Sequence, residues 1–101
     1  MVFYLKKGDN YYNAYLNSVN DIVKIEEIRG EYSSEIIKNE YNSQGQLIKI
    51  NNYKEKYVEF LFYNKTGFLI KKEKNSYGMF ELLESKELIV YKKKTQLATT
   101  K

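Results

Sequence analysis

The sequence contains no cysteine, histidine, tryptophan or proline, and only five of its 101 residues are glycine. These absences exclude disulfide bonds, a thiol nucleophile, an imidazole base and a zinc site built from His and Cys. The glycines occur singly, in neither the dinucleotide-binding nor the Walker spacing. We therefore predict a protein that is not an enzyme and that holds no cofactor or metal ion.

The length of the chain limits it to one compact domain. Hydrophobic residues make up 43% of the sequence, so a folded rather than a disordered chain is expected. No apolar run approaches the roughly 18 residues of a membrane helix, and the apolar run at the start is too short for a signal sequence. We expect a cytoplasmic protein with no membrane partner.

The net charge of +4 is confined to the end of the chain, where Lys92, Lys93, Lys94 and Lys101 match the whole surplus of basic residues. We assign residues 1–91 to a single neutral domain, and residues 92–101 to a basic tail or an extension of an edge strand. Three consecutive lysines are a weak signal for nucleic acid, because typical footprints use more phosphate contacts. They could instead protect the edge of an open sheet, or dock an acidic partner there.

Short runs of β-branched and aromatic residues recur at a spacing of roughly 8 to 12 residues, which indicates an all-β protein. With such short connections, neighbours should pair as antiparallel hairpins. We predict a meander of eight or nine strands, strongly curled or closing into a small barrel. Residues 33–39 could instead form a short helix with a serine N-cap, although few residues support it. The predicted strands cover residues 2–5, 11–16, 22–28, 32–41, 47–53, 57–63, 68–74, 79–83 and 88–91.

Several predicted strands alternate between apolar and polar side chains, as sheets with one buried face do. In residues 57–63, for example, Val58, Phe60 and Phe62 should point away from Glu59. The glutamates alternate with lysines and predict cross-strand ion pairs, while the adjacent Glu26 and Glu27 should point to opposite faces. The predicted core consists of Phe3, Leu5, Ile22, Ile48, Ile50, Val58, Phe60, Phe62, Leu69, Leu82 and Leu88.

An internal repeat is the clearest pattern in the sequence. Residues 41–49 and 63–71 share the pattern Tyr-Asn-x-x-Gly-x-Leu-Ile-Lys, residues 17–25 match residues 42–50 loosely, and a weaker copy covers residues 82–88. Asparagine can start such a turn by bonding its own backbone, and glycine can adopt a positive φ. The repeat therefore predicts hairpins that share one type of turn. Hairpins without common ancestry can also use the same turn residues.

Over residues 41–74 the pattern resembles two known repeat families. One is the MORN-variant repeat of small bacterial proteins that are often described as antitoxins, and the other is the Tyr-Asp (Rhs-type) repeat. Both families place a second glycine in the opposite turn, where this sequence has Lys54-Glu55-Lys56. The resemblance implies a β-hairpin protein of the immunity or antitoxin kind. The residues that fit the MORN-variant pattern are Gly45, Leu47, Tyr53, Tyr63, Gly67 and Leu69.

A tyrosine-rich sheet with a neutral domain favours a protein partner, because tyrosine is enriched at interfaces and charge complementarity needs no net sign. We predict a module that binds another protein, with a single-stranded nucleic acid binder as the alternative, since aromatic and basic side chains can also stack bases. The candidate binding face consists of Tyr41, Tyr53, Tyr57, Tyr63, Lys54, Lys56, Lys92, Lys93 and Lys94.

Overall fold

The structure is a computed structural model that describes residues 1–78 and 82–91, and these residues form one eight-stranded sheet. Each strand pairs antiparallel with its neighbours in sequence, from β1 at one edge to β8 at the other. The predicted meander is confirmed, and residues 33–39 lie in a strand rather than a helix. The strands are β1 (Val2–Lys7), β2 (Asn10–Leu16), β3 (Ile22–Arg29), β4 (Tyr32–Tyr41), β5 (Leu47–Asn52), β6 (Tyr57–Tyr63), β7 (Leu69–Tyr77) and β8 (Leu83–Val90).

The last two strands are longer than predicted. Strand β7 continues to Tyr77, and β8 replaces the two short strands expected at residues 79–83 and 88–91. Asn75 pairs with Lys86 and Ser76 with Ser85, so the expected turn at residues 84–87 and the weaker copy of the repeat there are wrong. Polar residues resemble a turn in sequence, yet a strand tolerates them where both faces of the sheet meet water. Residues 79–81 of this prediction lie outside the described residues.

Three connections at one end of the sheet, which we call the Asn end, have the same geometry. In the β4–β5 connection, Asn42 Oδ1 accepts hydrogen bonds from the backbone N–H groups of Gln44 and Gln46, both at 3.0 Å. Asn17 and Asn64 make the equivalent pairs of bonds in the other two turns. The fourth residue of each turn has a positive φ: Asn20 (67°), Gly45 (81°) and Gly67 (93°). The predicted turn chemistry is confirmed.

Tyrosine hydroxyls connect successive turns at the Asn end. The Tyr41 hydroxyl donates to the Ile22 carbonyl oxygen at 2.7 Å, and the Tyr63 hydroxyl donates to the Leu47 carbonyl oxygen at 2.6 Å. The strand register shifts immediately before each of these tyrosines. Tyr41, at the end of β4, thus bonds the first residue of β3, and Tyr63, at the end of β6, bonds the first residue of β5.

The described part of the sheet is a single layer with almost no core. Only Ala14 and Glu27 are buried in it, at 3% and 5% exposure. The predicted core is therefore wrong, since five of its eleven residues are only half-buried and the other six are exposed. The half-buried ones are Ile48, Ile50, Val58, Phe60 and Leu69. The exposed ones are Phe3, Leu5, Ile22, Phe62, Leu82 and Leu88.

The register explains why these apolar residues do not meet. Ile50 lies opposite Glu59, and Phe60 lies opposite Lys49, so Ile50 and Phe60 lie on different faces of the sheet. We call these the Glu27 face, which also carries Tyr12, Ile50 and Glu59, and the Phe60 face, which also carries Tyr15, Lys49 and Glu73. The sheet does not close, because β1 and β8 are opposite edges of the described part.

Long charged side chains cover the rings that the sheet leaves uncovered. Lys49 Nζ lies 5.5 Å from the centre of the Phe60 ring, and Lys71 Nζ lies 4.3 Å from that of Phe62. Lysine stems bury apolar surface while their ammonium groups remain in water. The predicted cross-strand ion pairs are also present and join Lys49 to Glu40, Lys72 to Glu59 and Lys86 to Glu73.

Candidate binding site

An open groove of about 710 Å³ lies at the end of the sheet opposite the Asn end. Three tyrosines and one lysine line it: the tyrosine rings are amphipathic anchors for a partner, and the lysine ammonium is a cationic hydrogen-bond donor. Two of these tyrosines and the lysine are among the predicted site residues. The lining residues are Asn52, Tyr53, Lys56, Tyr57, Val58, Tyr77 and Gly78.

The β5–β6 turn fixes the shape of the groove. Asn52 Oδ1 accepts a hydrogen bond from the Glu55 N–H at 2.7 Å, and Lys56 has a left-handed φ of 61°. Lys56 thus adopts the conformation that a glycine would supply at no steric cost. Its carbonyl oxygen accepts a hydrogen bond from the Tyr77 N–H at 2.8 Å, which joins this turn to the end of β7.

The tyrosines of the groove differ in how firmly they are held. The Lys74 ammonium lies 4.2 Å from the centre of the Tyr57 ring, close enough for a cation–π interaction. The Tyr53 side chain is 48% exposed, although its N–H is fixed by a bond to the Ile36 carbonyl oxygen. The groove therefore offers one ring that is restrained and one that is free to contact a partner.

The predicted binding face is divided between the two ends of the sheet. Tyr53, Lys56 and Tyr57 line the groove, and Lys54 lies beside it and contacts Glu27. Tyr41 and Tyr63 lie at the Asn end, where their hydroxyls bond the main chain; burial raises the pKa of Tyr41. Lys92, Lys93 and Lys94 lie outside the described residues.

Tyr77 is not among the predicted site residues, because the predicted strands leave residues 75–78 in a turn. In the structure Tyr77 ends β7 and lines the groove. A signal was available in Gly78, because a glycine directly after an aromatic residue often ends a strand.

Glu27 is the most enclosed charged group of the described part. Its carboxylate lies 3.1 Å from Lys54 Nζ and 3.3 Å from Arg29. Lys54 reaches it from the β5–β6 turn, across β4. The hydrogen bond from Lys54 is the main cause that lowers the pKa of Glu27, and the Arg29 charge adds to it. On the other face, a hydrogen bond from the Tyr15 hydroxyl lowers the pKa of Glu26 and raises that of Tyr15 itself.

Acid should weaken this fold through Glu26 and Glu27. Their pKa values are lowered in the folded state, so the stabilisation is complete above the unfolded value of about 4.3 and is lost as the pH falls through the folded pKa. We expect Glu27→Gln to be less stable than the unchanged protein at pH 7, with a difference that narrows below pH 4. Urea unfolding between pH 7 and pH 3 measures this. Glu55→Gln, in the exposed β5–β6 turn, is the control; an equal loss there would contradict the role of Glu27.

Comparisons with known proteins do not place the chain in a family. No family model and no curated protein matches it. Within residues 1–78 and 82–91 no group of three acidic side chains is arranged to hold a metal ion. The same residues contain no helix that is long and apolar enough to cross a membrane.

Proposed function

We propose that this protein is a non-catalytic module that binds another protein, and that it belongs to the immunity or antitoxin kind of small bacterial protein that neutralises its partner in the cytoplasm. The observation that carries the proposal is the groove at the β5–β6 turn, where Tyr53, Tyr57 and Tyr77 lie beside Lys56. Tyrosine supplies a large, rigid and amphipathic contact area, and it is enriched among the residues that dominate interface energies.

The uncovered sheet supports the same function. Monomeric proteins rarely expose wide apolar patches, and larger ones mark interaction sites. Here Phe3, Leu83 and Val90 are among the many exposed apolar side chains. The resemblance of residues 41–74 to the MORN-variant repeat agrees with an antitoxin role, and the Tyr-Asp repeat remains the other family that the pattern fits.

We further propose that the sheet curls toward the Glu27 face near the groove. The β3–β4 register shifts between Ile25 and Glu26, and such a bulge bends its strand and increases the local twist. On the Glu27 face, the Lys54 ammonium lies 3.1 Å from Glu27, with β4 between β3 and the β5–β6 turn, and this ion pair would hold the curled part together. Such a curl would make the groove concave and suit it to a convex partner segment.

Site-specific cross-linking tests the proposed function. A photoreactive amino acid at Tyr53 should give a cross-link to one discrete protein in cells of the source organism, while the same amino acid at the exposed Tyr32 should not. The identified protein is then purified and titrated with the unchanged protein and with Tyr53→Ala. We expect at least about tenfold weaker binding for Tyr53→Ala, because a central interface tyrosine contributes about 2 kcal/mol.

The alternative is a single-stranded nucleic acid binder, which the lysine–tyrosine contact at Tyr57 favours. Bases stack on aromatic rings beside basic side chains, and such binding weakens steeply with salt. A gel shift of oligothymidylate in rising salt separates the two functions. Binding at low salt that is lost with added salt and with Tyr57→Ala would contradict the protein-binding proposal. We expect no shift.

A further inference from the structure

The two edge strands of the sheet are open and apolar. Every residue of β1 and of β8 is exposed, including Phe3 and Leu5 in β1 and Leu88 and Val90 in β8. Open strands of this kind are templates for pairing with another chain. The edges differ in charge, because β1 ends in two lysines whereas β8 contains two glutamates and one lysine.

Two hydrogen bonds within the sheet show which residues of β1 and β8 have backbone N–H and C=O groups that point away from the sheet. The Leu16 N–H donates to the Met1 carbonyl oxygen, and the Tyr91 N–H donates to that of Ile70, both at 2.8 Å. Inward and outward residues alternate along an antiparallel strand. The free backbone groups at the two edges therefore belong to Val2, Tyr4 and Lys6 in β1 and to Lys86, Leu88 and Val90 in β8.

We propose that copies of this chain associate edge to edge, with β1 of one copy added beside β8 of the next. With eight strands in a meander, β1 and β8 run in opposite directions. A second copy in the same orientation therefore places its β1 antiparallel to β8 and continues the meander. The contact is heterologous, so it leaves a free edge at each end and extends with concentration.

One register pairs apolar residues with apolar residues, and opposite charges with each other, on the Glu27 face. When Val90 lies opposite Tyr4 of the next copy, Ile89 lies opposite Leu5 and Glu87 opposite Lys7. Tyr91 and Phe3 also face each other in this register. On the other face, Leu88 lies opposite Lys6. Sliding by two residues in one direction opposes Lys86 to Lys6, and sliding in the other places Ile89 instead of Glu87 opposite Lys7, so both slides lose the Glu87–Lys7 pair. Direct opposition of like charges weakens a strand pair, and opposite charges strengthen it.

Pairing of identical edges is less favourable. In the registers of fullest overlap, two β8 strands would oppose Glu87 to a second Glu87 or Lys86 to a second Lys86, and neither register forms a pair of opposite charges. Two β1 strands contain no acidic residue that could pair with Lys6 and Lys7. Charge complementarity therefore favours β1 against β8.

Charge reversal tests this interface, with sedimentation velocity up to about 1 mM as the measurement. We expect the unchanged protein to associate with rising concentration. Glu87→Lys and Lys7→Glu should each weaken the association about five- to tenfold, because an opposite-charge pair becomes a repulsive one. An equimolar mixture of the two variants should associate again, and so should the double variant. Glu31→Lys, in the β3–β4 turn, is the matched control and should behave like the unchanged protein.

The mixture protects the test against misfolding, because an unfolded variant could not regain association on mixing. A protein that stays monomeric over the whole range would overturn the proposal. The proposal would also be overturned if Lys7→Glu associated normally while Glu87→Lys did not, because the contact would then not use the Lys7 end of β1. The partner protein of the proposed function is absent from these samples, so the outcome is independent of that proposal.

The lysines after β8 should oppose the same contact. Lys92, Lys93 and Lys94 follow Tyr91 directly in sequence, and the β1 edge that would add beside β8 is itself basic, with Lys6 and Lys7 and no acidic residue. Replacing all three with serine should leave the fold intact and tighten self-association, while binding of the cross-linked partner stays unchanged. A monomeric variant that loses the partner would contradict this and assign the lysines to docking an acidic partner.

Discussion

Replacing Asn42 and Asn64 together with alanine is expected to lower the free energy of unfolding by about 2–4 kcal/mol. Each side chain accepts two backbone N–H groups in its turn, at 3.0 Å in every case. Alanine removes the side-chain acceptor of each turn, and the turn then keeps only its backbone hydrogen bonds, such as that from the Gly45 N–H to the Asn42 carbonyl oxygen. A small domain has only about 5–15 kcal/mol of stability, so the double variant should be close to unfolding. Urea denaturation followed by circular dichroism measures the change.

The double variant Asn42→Asp and Asn64→Asp is the matched control for these turns. Aspartate keeps the Oδ acceptor and is itself a turn-forming residue, so most of the stability should remain. Equal losses for the alanine and aspartate variants would mean that the side-chain bonds do not hold the turns.

Replacing Tyr41 and Tyr63 together with phenylalanine should lower the free energy of unfolding by about 1–3 kcal/mol. Phenylalanine keeps each ring but removes the hydroxyl that bonds the carbonyl oxygen of Ile22 or Leu47. Those carbonyl groups would then lose a partner at the Asn end. Hydrogen exchange should accelerate first in the strands that begin at Ile22 and Leu47, because these bonds hold their first residues.

Tyr32→Phe removes a hydroxyl from a side chain that is 82% exposed and should leave stability unchanged. If Tyr32→Phe costs as much as the double variant, the loss comes from general effects of removing a hydroxyl. The connection between successive turns would then contribute nothing measurable.

Strands and turns could be predicted because their signals are local. The Asn-x-x-Gly pattern fixed the turns at Asn42 and Asn64, and the same chemistry holds at Asn17, where Asn20 takes the place of glycine. The extent of β8 was missed because Glu84 and Ser85 resemble a turn. In an open sheet both faces accept polar side chains, so polarity alone no longer separates a strand from a turn.

Burial could not be predicted from the alternation of single strands. Alternation indicates which residues of one strand share a face, but the register between strands decides which faces meet. Ile50 and Phe60 both look like core residues, yet the β5–β6 register places them on opposite faces. Likewise, the groove brings Tyr77 beside Tyr53 only because the β7 strand is longer than its sequence indicates.

Small-angle X-ray scattering at low concentration tests most directly that the sheet is an open single layer. The Cα radius of gyration is 17.0 Å, and the longest dimension is 58 Å. A compact globular chain of this length would have a radius of gyration of about 13 Å. We expect a value near 17 Å, extrapolated to zero concentration so that association does not contribute. A value near 13 Å would contradict the open sheet and indicate a closed barrel or a second packed layer.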